Sequence, residues 1–305
     1  MSYNISAFND YIGREAKPLT KALFMGDNTA LFSRVMTNVK GSVSVPHIGG
    51  EATLQKGTCP ASSGTTPVTE VVLSVTPLVF QEEVCTDDLQ DKFPNTVLMA
   101  GSHTEGDQPK EFEEIYIDQK VSSIGKTLAM TYWQGDVSTG SYQLFDGFIK
   151  KIDAGSPIDG NTSSATTLTK ANVLGLVEDM ITEAPVDVQE SDRFVVYVGI
   201  DTFKKYISAL KTANLYHFDP ANKKNVYPIE EFNATLVGVR GLDGTDRMFA
   251  GDASNFILGN DLPEDEKVMK VIYDEPSDKT VFRSKMKAGT TVANIDEIVE
   301  FTLSA

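Results

Sequence analysis

The sequence predicts an α+β protein, on three observations. Residues 109–133 carry a narrow apolar stripe at helical spacing. The stretches 40–48, 68–83 and 279–288 alternate or concentrate apolar residues as half-buried strands do. From residue 142 onward strand-like and helix-like segments take turns, and the last forty or so residues are β-rich. Neither an internal repeat nor a low-complexity tract is present.

The 305 residues, 41% apolar and 23% charged, suffice for a packed core and exclude wholesale disorder. Lys and Arg number 27 against 43 Asp and Glu, a net charge of −16. That balance argues against a protein whose main task is gripping nucleic-acid phosphates. It favours solubility, and it makes copies repel one another, so self-assembly has to rely on surface complementarity. Two cysteines, Cys59 and Cys85, are too few for a disulfide framework, and a reducing compartment is expected. The start, MSYNISAFNDYIGREAKPL, lacks the basic and apolar regions of a secretory signal. No apolar stretch approaches the ~18–20 residues that cross a bilayer, so a soluble protein without membrane association is expected.

Residues 1–39 read as an arm, extended or lightly helical, docked by its own apolar side chains. Leu19, Leu23 and Phe24 lie before the break at Gly26-Asp27-Asn28, and Leu31, Phe32, Val35 and Met36 after it. Asn28 or Thr29 is the expected helix cap. Residues 40–86 read as one long hairpin. Val43, Val45 and Ile48 alternate on one strand, Val68 to Glu83 forms the other, and Gly49 to Pro67 is a Gly/Ser/Thr/Pro-rich tip. A two-stranded hairpin is marginal alone in water, so its apolar residues need another surface, and its length favours a neighbouring copy.

The clearest helix follows. Pro109 suits a first turn, Glu111, Glu113 and Glu114 suit the N-terminal end of the dipole, and Ile117, Val121, Ile124 and Leu128 form the stripe. At ~1.5 Å per residue the rod is roughly 35 Å long and can act as the spine of a sheet. Further on, 172–183 reads as an amphipathic helix and 193–200 as a buried strand. Asp201 is the expected cap of the next helix, and strands are expected at 234–240, 246–250, 255–259, 267–274, 279–288 and 297–303.

Motifs for chemistry are weak. Gly125-Lys126-Thr127 imitates the end of a phosphate loop, but Lys120 stands where the first glycine belongs and the triplet lies inside a helix. Gly238, Gly241 and Gly244 match no dinucleotide fingerprint. His47, His103, His217 and the two cysteines form no metal-ligand pairs. No Gly-x-Ser-x-Gly elbow occurs, and acidic runs such as Glu264-Asp265-Glu266 read as solvated loop. No catalytic, cofactor or metal residue is expected, and the chain does not read as an enzyme. One charge pattern stands out. Phe282, Ser284, Met286 and Ala288 share one strand face, and Arg283, Lys285 and Lys287 the other. This basic stripe on an acidic chain suits a neighbouring copy, with Glu82, Glu83, Glu111, Glu113 and Glu114 as partners; a nucleic-acid contact and a solvated face are the alternatives.

The order of parts resembles the major capsid proteins of tailed bacteriophages with the HK97-type shell fold. YQLFDGFIKKI (142–152) is similar to the family's Asp-Gly segment where the spine region passes into the axial domain. VVYVGIDTFKKYISALK is similar to its axial strand and helix, and ATLVGVRGLDGTDRMFAGDASNFILGND to its Gly-Asp-x-Ser strand. KVMKVIYDE with KTVFRSKMKAGTTV is similar to its final peripheral strands. The resemblance spans about residues 20–303, through order and spacing.

It implies an N-terminal arm (1–39), an extended β-hairpin loop (40–86), a peripheral domain with the spine helix (87–141), an axial domain (142–266) and returning peripheral strands (267–305). It implies a homo-oligomer, hexamers and pentamers of an icosahedral shell in the virion, assembled in the host cytoplasm. Packaged double-stranded DNA would lie inside without tight binding, with a separate scaffolding protein and a portal as partners. The expected subunit-interface residues are Val43, Val45, Val71, Leu73 and Val75 of the hairpin with Arg283, Lys285 and Lys287 of the stripe. Lys56 and Asn294 lie in zones where family members can form an isopeptide crosslink. The alternatives are an encapsulin-like compartment housing cargo and a soluble phage tail-associated binding protein.

Overall fold

The computed structural model describes residues 12, 16–48, 68–85, 110–214, 224–261, 269–274, 276–277 and 279–304. The hairpin tip with Lys56 and Cys59, His103, His217 and Glu264-Asp265-Glu266 lie outside them, as do the side chains of Cys85, Glu111, Glu113 and Glu114.

Helices α1 (Ala16–Met25) and α2 (Asn28–Phe32) open the chain, followed by strand β1 (Arg34–Thr37). Asp27, rather than Asn28 or Thr29, caps α2, its carboxylate accepting from the Thr29 amide at 3.2 Å. Leu19, Leu23 and Phe24 are buried, so the arm docks on its own subunit as expected. The sequence reading missed β1, a parallel partner of a strand more than two hundred residues away.

Strands β2 (Ser42–Ile48) and β3 (Val68–Ser74) form the antiparallel hairpin, Val43 opposite Leu73 and Val45 opposite Val71. The expected second strand is divided at Val75. Beyond it, β4 (Thr76–Cys85) leaves the hairpin and pairs along ten positions with β12 (Lys279–Val292). Helix α3 (Lys110–Gln134) is the long rod, and α4 (Phe148–Asp153) follows a tight crossing. Gly135 and Gly147 are needed there, because a Cβ on Gly135 would stand 2.2 Å from the Phe145 carbonyl oxygen and one on Gly147 2.5 Å from that of Trp133.

One sheet, termed peripheral after the expected domain, runs β1–β10–β12–β11, with β4 on the other edge of β12; β10 is Phe256–Asp261 and β11 Lys270–Asp274. A second sheet, termed axial after the expected domain, has six strands in the order β5–β13–β9–β6–β8–β7. These are β5 (Ile158–Asp159), β6 (Phe194–Gly199), β7 (Val226–Ile229), β8 (Ala234–Val239), β9 (Met248–Asp252) and β13 (Val299–Phe301). Helices α5 (Val173–Glu183), α6 (Val186–Gln189) and α7 (Ile200–Thr212) complete that part of the chain, α5 and α7 sharing a hydrophobic core with the sheet. Gly199 occupies the cap position of α7, and Asp201 lies in its first turn. The sheets do not respect the expected boundary at 266, since β10 precedes it yet belongs to the peripheral sheet and β13 follows it yet belongs to the axial sheet.

The stripe of α3 faces its own subunit. Ile117, Val121 and Leu128 are buried in the same core as Phe282 and Met286, and Ile124 packs against its margin. Gly125 serves packing and not phosphate, because a Cβ there would lie 3.2 Å from the carbonyl oxygens of Ala22 and Leu23 on α1. Trp133 joins the parts. Fully buried, it lies 5.1–5.9 Å, ring centre to ring centre, from Phe148 of α4, Tyr197 and Phe249 of the axial sheet and Phe256 of the peripheral sheet. Its indole N–H donates to Thr29 Oγ1 at 2.9 Å, which ties the arm into the same cluster.

Candidate assembly surface

Strict alternation along β12 gives the peripheral sheet two unlike faces. Phe282, Ser284, Met286 and Ala288 point inward and are buried. Val281, Arg283, Lys285 and Lys287 occupy the outer face, half-buried. Register completes that face: Gln81, Val79 and Pro77 of β4 stand opposite Arg283, Lys285 and Lys287, while Lys270 and Ile272 of β11 stand opposite Arg283 and Val281. Val79 is 58% and Ile272 41% exposed, so apolar surface is interleaved with cations. Lys270 and Arg283 are like charges directly across a strand pair, an arrangement that costs stability in isolation.

Of the acidic partners expected from the sequence, Glu82 and Glu83 are engaged within the subunit, and the side chains of Glu111, Glu113 and Glu114 lie outside the described residues. Glu82 turns inward and pairs with Lys120 of α3 at 2.6 Å. Glu83 pairs with Lys279 at 3.2 Å. Lys287 also works inside its own chain, donating to the Lys40 carbonyl at 2.7 Å and lying 3.6 Å from Asp261. Arg283 and Lys285 are half-buried on the same face.

Of the hairpin residues named from the sequence, Val45 and Leu73 need correction. Leu73 is fully buried and Val45 nearly so, packed with Val39 and Ile257 of the same chain; Val43, Val71 and Val75 are half-buried, and Val43 and Val75 pack against that cluster. They face their own subunit because the hairpin root crosses the outer face of the peripheral sheet at a place without side chains, where Gly259 stands opposite Gly289. The opposite hairpin face is the open one. It carries Ser44, Pro46, Val68, Glu70 and Val72, with Val68 61% and Val72 56% exposed and Ser44 donating to Glu70 at 2.8 Å. A signal for this existed in the sequence: Val71-Val72-Leu73 is an unbroken apolar run, which places apolar side chains on both faces of a strand.

Two charged clusters brace the rest. Lys150 of α4 donates to Asp136 at 2.6 Å and Asp146 at 2.7 Å, fastening the loop that displays Val137 and Leu144. Hydrogen bonds from Lys150, Ser138 and Thr139 hold the Asp136 carboxyl far below the usual carboxylate range. Glu300 of β13, 7% exposed, lies 2.7 Å from Arg247, which also pairs with Asp153 at 2.6 Å. Burial pushes Glu300 up to about 7, against the pull of Arg247 and with the help of Asp153 and Asp159. Among the described residues no group of three or more His, Cys, Asp or Glu side chains is placed to hold a metal ion. No helix among them is long and apolar enough to cross a membrane.

A scan of family models finds no match, and a search of curated proteins finds none. Solved structures do match, over almost the whole chain. The satellite phage P4 procapsid that includes the size determination (Sid) protein aligns over 97% of this chain and 95% of its own, with a TM-score of 0.58 at 12% identity. The capsid of the empty GTA particle aligns over 90% and 89%, with a TM-score of 0.56 at 12% identity. The chain has the HK97-type capsid fold. A chain of Gordonia phage Cozz matches the same fold over 91% and 86%, with a TM-score of 0.55 at 11% identity. Within this fold, α3 lies beneath the peripheral sheet, and the hairpin rises from that sheet's outer face.

Proposed function

We propose that the chain is the major capsid protein of a tailed bacteriophage, a structural protein that self-assembles into hexamers and pentamers of an icosahedral shell enclosing double-stranded DNA. The observation that carries this reading is the likeness to capsid structures over nine-tenths or more of the chain. Two features of the surface support it. The hairpin exposes Val68 and Val72, and the adjoining sheet exposes Val79 and Ile272 among cations, which is contact area suited to further copies of an acidic chain. The net charge of −16 suits a wall that a genome moves past, since gripping a nucleic-acid backbone relies on clustered Lys and Arg. A separate scaffolding protein and a portal belong to the same reading, with assembly in the host cytoplasm and the finished protein in the virion.

The test is electron microscopy of purified particles, made with and without the scaffolding protein, combined with assay of their contents. Closed icosahedral shells that hold DNA after packaging agree with the proposal. Shells filled with a protein cargo would mean an encapsulin-like compartment, and a persistent monomer or small ring would mean a soluble tail-associated protein; either result contradicts it.

A further inference from the structure

The hairpin leaves the body at one narrow place. Gly259 on β10 and Gly289 on β12 are register partners, and both belong to the outer face of the peripheral sheet. Strand β3 crosses directly above them. A Cβ on Gly289 would lie 2.1 Å from the Ser74 carbonyl oxygen, 3.0 Å from the Ser74 carbonyl carbon and 3.1 Å from the Val75 Cα. A Cβ on Gly259 would lie 2.9 Å from Leu73 Cδ2 and Val75 Cγ1. The first encounter is with backbone and the second with side-chain ends. Both glycines belong to extended strands, so what they supply is space and not an unusual conformation.

Three hydrogen bonds close over this gap. The Val75 amide donates to the Gly41 carbonyl at 3.0 Å and shuts the base of the hairpin. Lys287, two residues before Gly289, donates to the Lys40 carbonyl at 2.7 Å and stays near Asp261 at 3.6 Å. Thr291, two residues after it, reaches the Val72 carbonyl at 3.5 Å. The outward residues of one strand, 287, 289 and 291, therefore act as tether, gap and tether for the chain entering and leaving the hairpin.

We infer that Gly289, Gly259 and Lys287 are positioning residues that fix the direction in which the hairpin leaves the subunit. The seven-residue strands extend roughly 23 Å from this seat, so a backbone shift at the root is carried outward along a stiff lever. The consequence for shell assembly rests on the capsid reading above; the seat itself does not.

Hydrogen exchange on the unassembled subunit, read by mass spectrometry, tests the seat without any shell. Gly289→Ala should speed exchange at the hairpin root, the Val75 amide included, by about tenfold or more while amides of β6 and β8 keep their rates. Gly259→Ala should give a smaller change in the same segment, since side chains can move aside where backbone cannot. Lys287→Met removes a tether without adding bulk, and it should loosen the same amides even where Gly289→Ala fails to fold. Root exchange unchanged in Lys287→Met, a larger effect from Gly259 than from Gly289, or loosening spread equally into β6 and β8 would each overturn the inference. If the seat behaves as described, the variants should also yield fewer closed shells than wild type at equal concentration. A wild-type chain that forms no shells at all would defeat the capsid reading and leave the exchange result standing on its own.

Discussion

Leu73 and Val72 are neighbours in sequence with opposite surroundings, and the pair separates the two roles of the hairpin. Leu73 is fully buried against Val39, Val45 and Ile257, while Val72 is 56% exposed. Leu73→Ala removes a branched side chain from a closed pocket, and such truncations cost about 2–5 kcal/mol. The cost should appear in the unassembled subunit as a lower melting temperature and early loss of the hairpin. Val72→Thr keeps the β-branched shape and exchanges a methyl for a hydroxyl. On the free subunit this surface change should stay within about 0.5 kcal/mol. Buried against a neighbouring copy, the same change should cost about 1–2 kcal/mol for each contact. The concentration at which shells form, followed by light scattering, should therefore rise several-fold or more for Val72→Thr, because about 1.4 kcal/mol is tenfold in an equilibrium. A Val72→Thr variant that destabilises the free subunit as much as Leu73→Ala does would contradict this division of roles. So would a Leu73→Ala variant that leaves the free subunit unchanged.

Val121 is 1% exposed beneath the peripheral sheet, so Val121→Asp should cost several kcal/mol and sharply lower soluble expression, measured by the soluble fraction of cell extracts. The double reversal Arg283→Glu with Lys285→Glu should leave the melting temperature of the subunit within a few degrees and raise the concentration needed for assembly, and added salt should narrow the difference from wild type. Glu300 sets a pH dependence whose sign follows from a folded value of about 7, above its ordinary 4.5. The folded state holds this proton more tightly than the unfolded one, so the group's penalty is absent below the ordinary value, grows as pH rises between the two and is complete above 7. Glu300→Gln should accordingly gain melting temperature over wild type at pH 8 and lose that advantage below about pH 4.5.

Local patterns in the sequence carried most of the elements. The helical stripe of residues 117–128 and the two-residue period of 281–288 are written in one segment each, and both faces came out as read. Long-range pairing was less legible. Nothing near Arg34–Thr37 marks it as the partner of β10, and nothing near Val75 shows that the next ten residues join β12 in place of β2. Period two separates the faces of a strand without saying which one is covered, and that is why Val45 and Leu73 were assigned to a neighbour when Val39 and Ile257 of their own subunit cover them. The sheet memberships of β10 and β13 were hidden for the same reason, since an apolar strand suits either sheet. At the candidate surface, the basic stripe was visible as a spacing, but the inward turn of Glu82 toward Lys120 and the reach of Lys287 to Lys40 depend on neighbours far away in the chain.

A cryo-electron-microscopy reconstruction of assembled particles bears most directly on the central claim, that this chain builds a shell in which the hairpin's open face meets another copy. The expected result is a closed icosahedral particle with Val68 and Val72 buried against a neighbouring subunit and Leu73 buried within its own. Particles in which Val68 and Val72 remain in solvent, or in which Leu73 is the residue inserted into the neighbour, would contradict it.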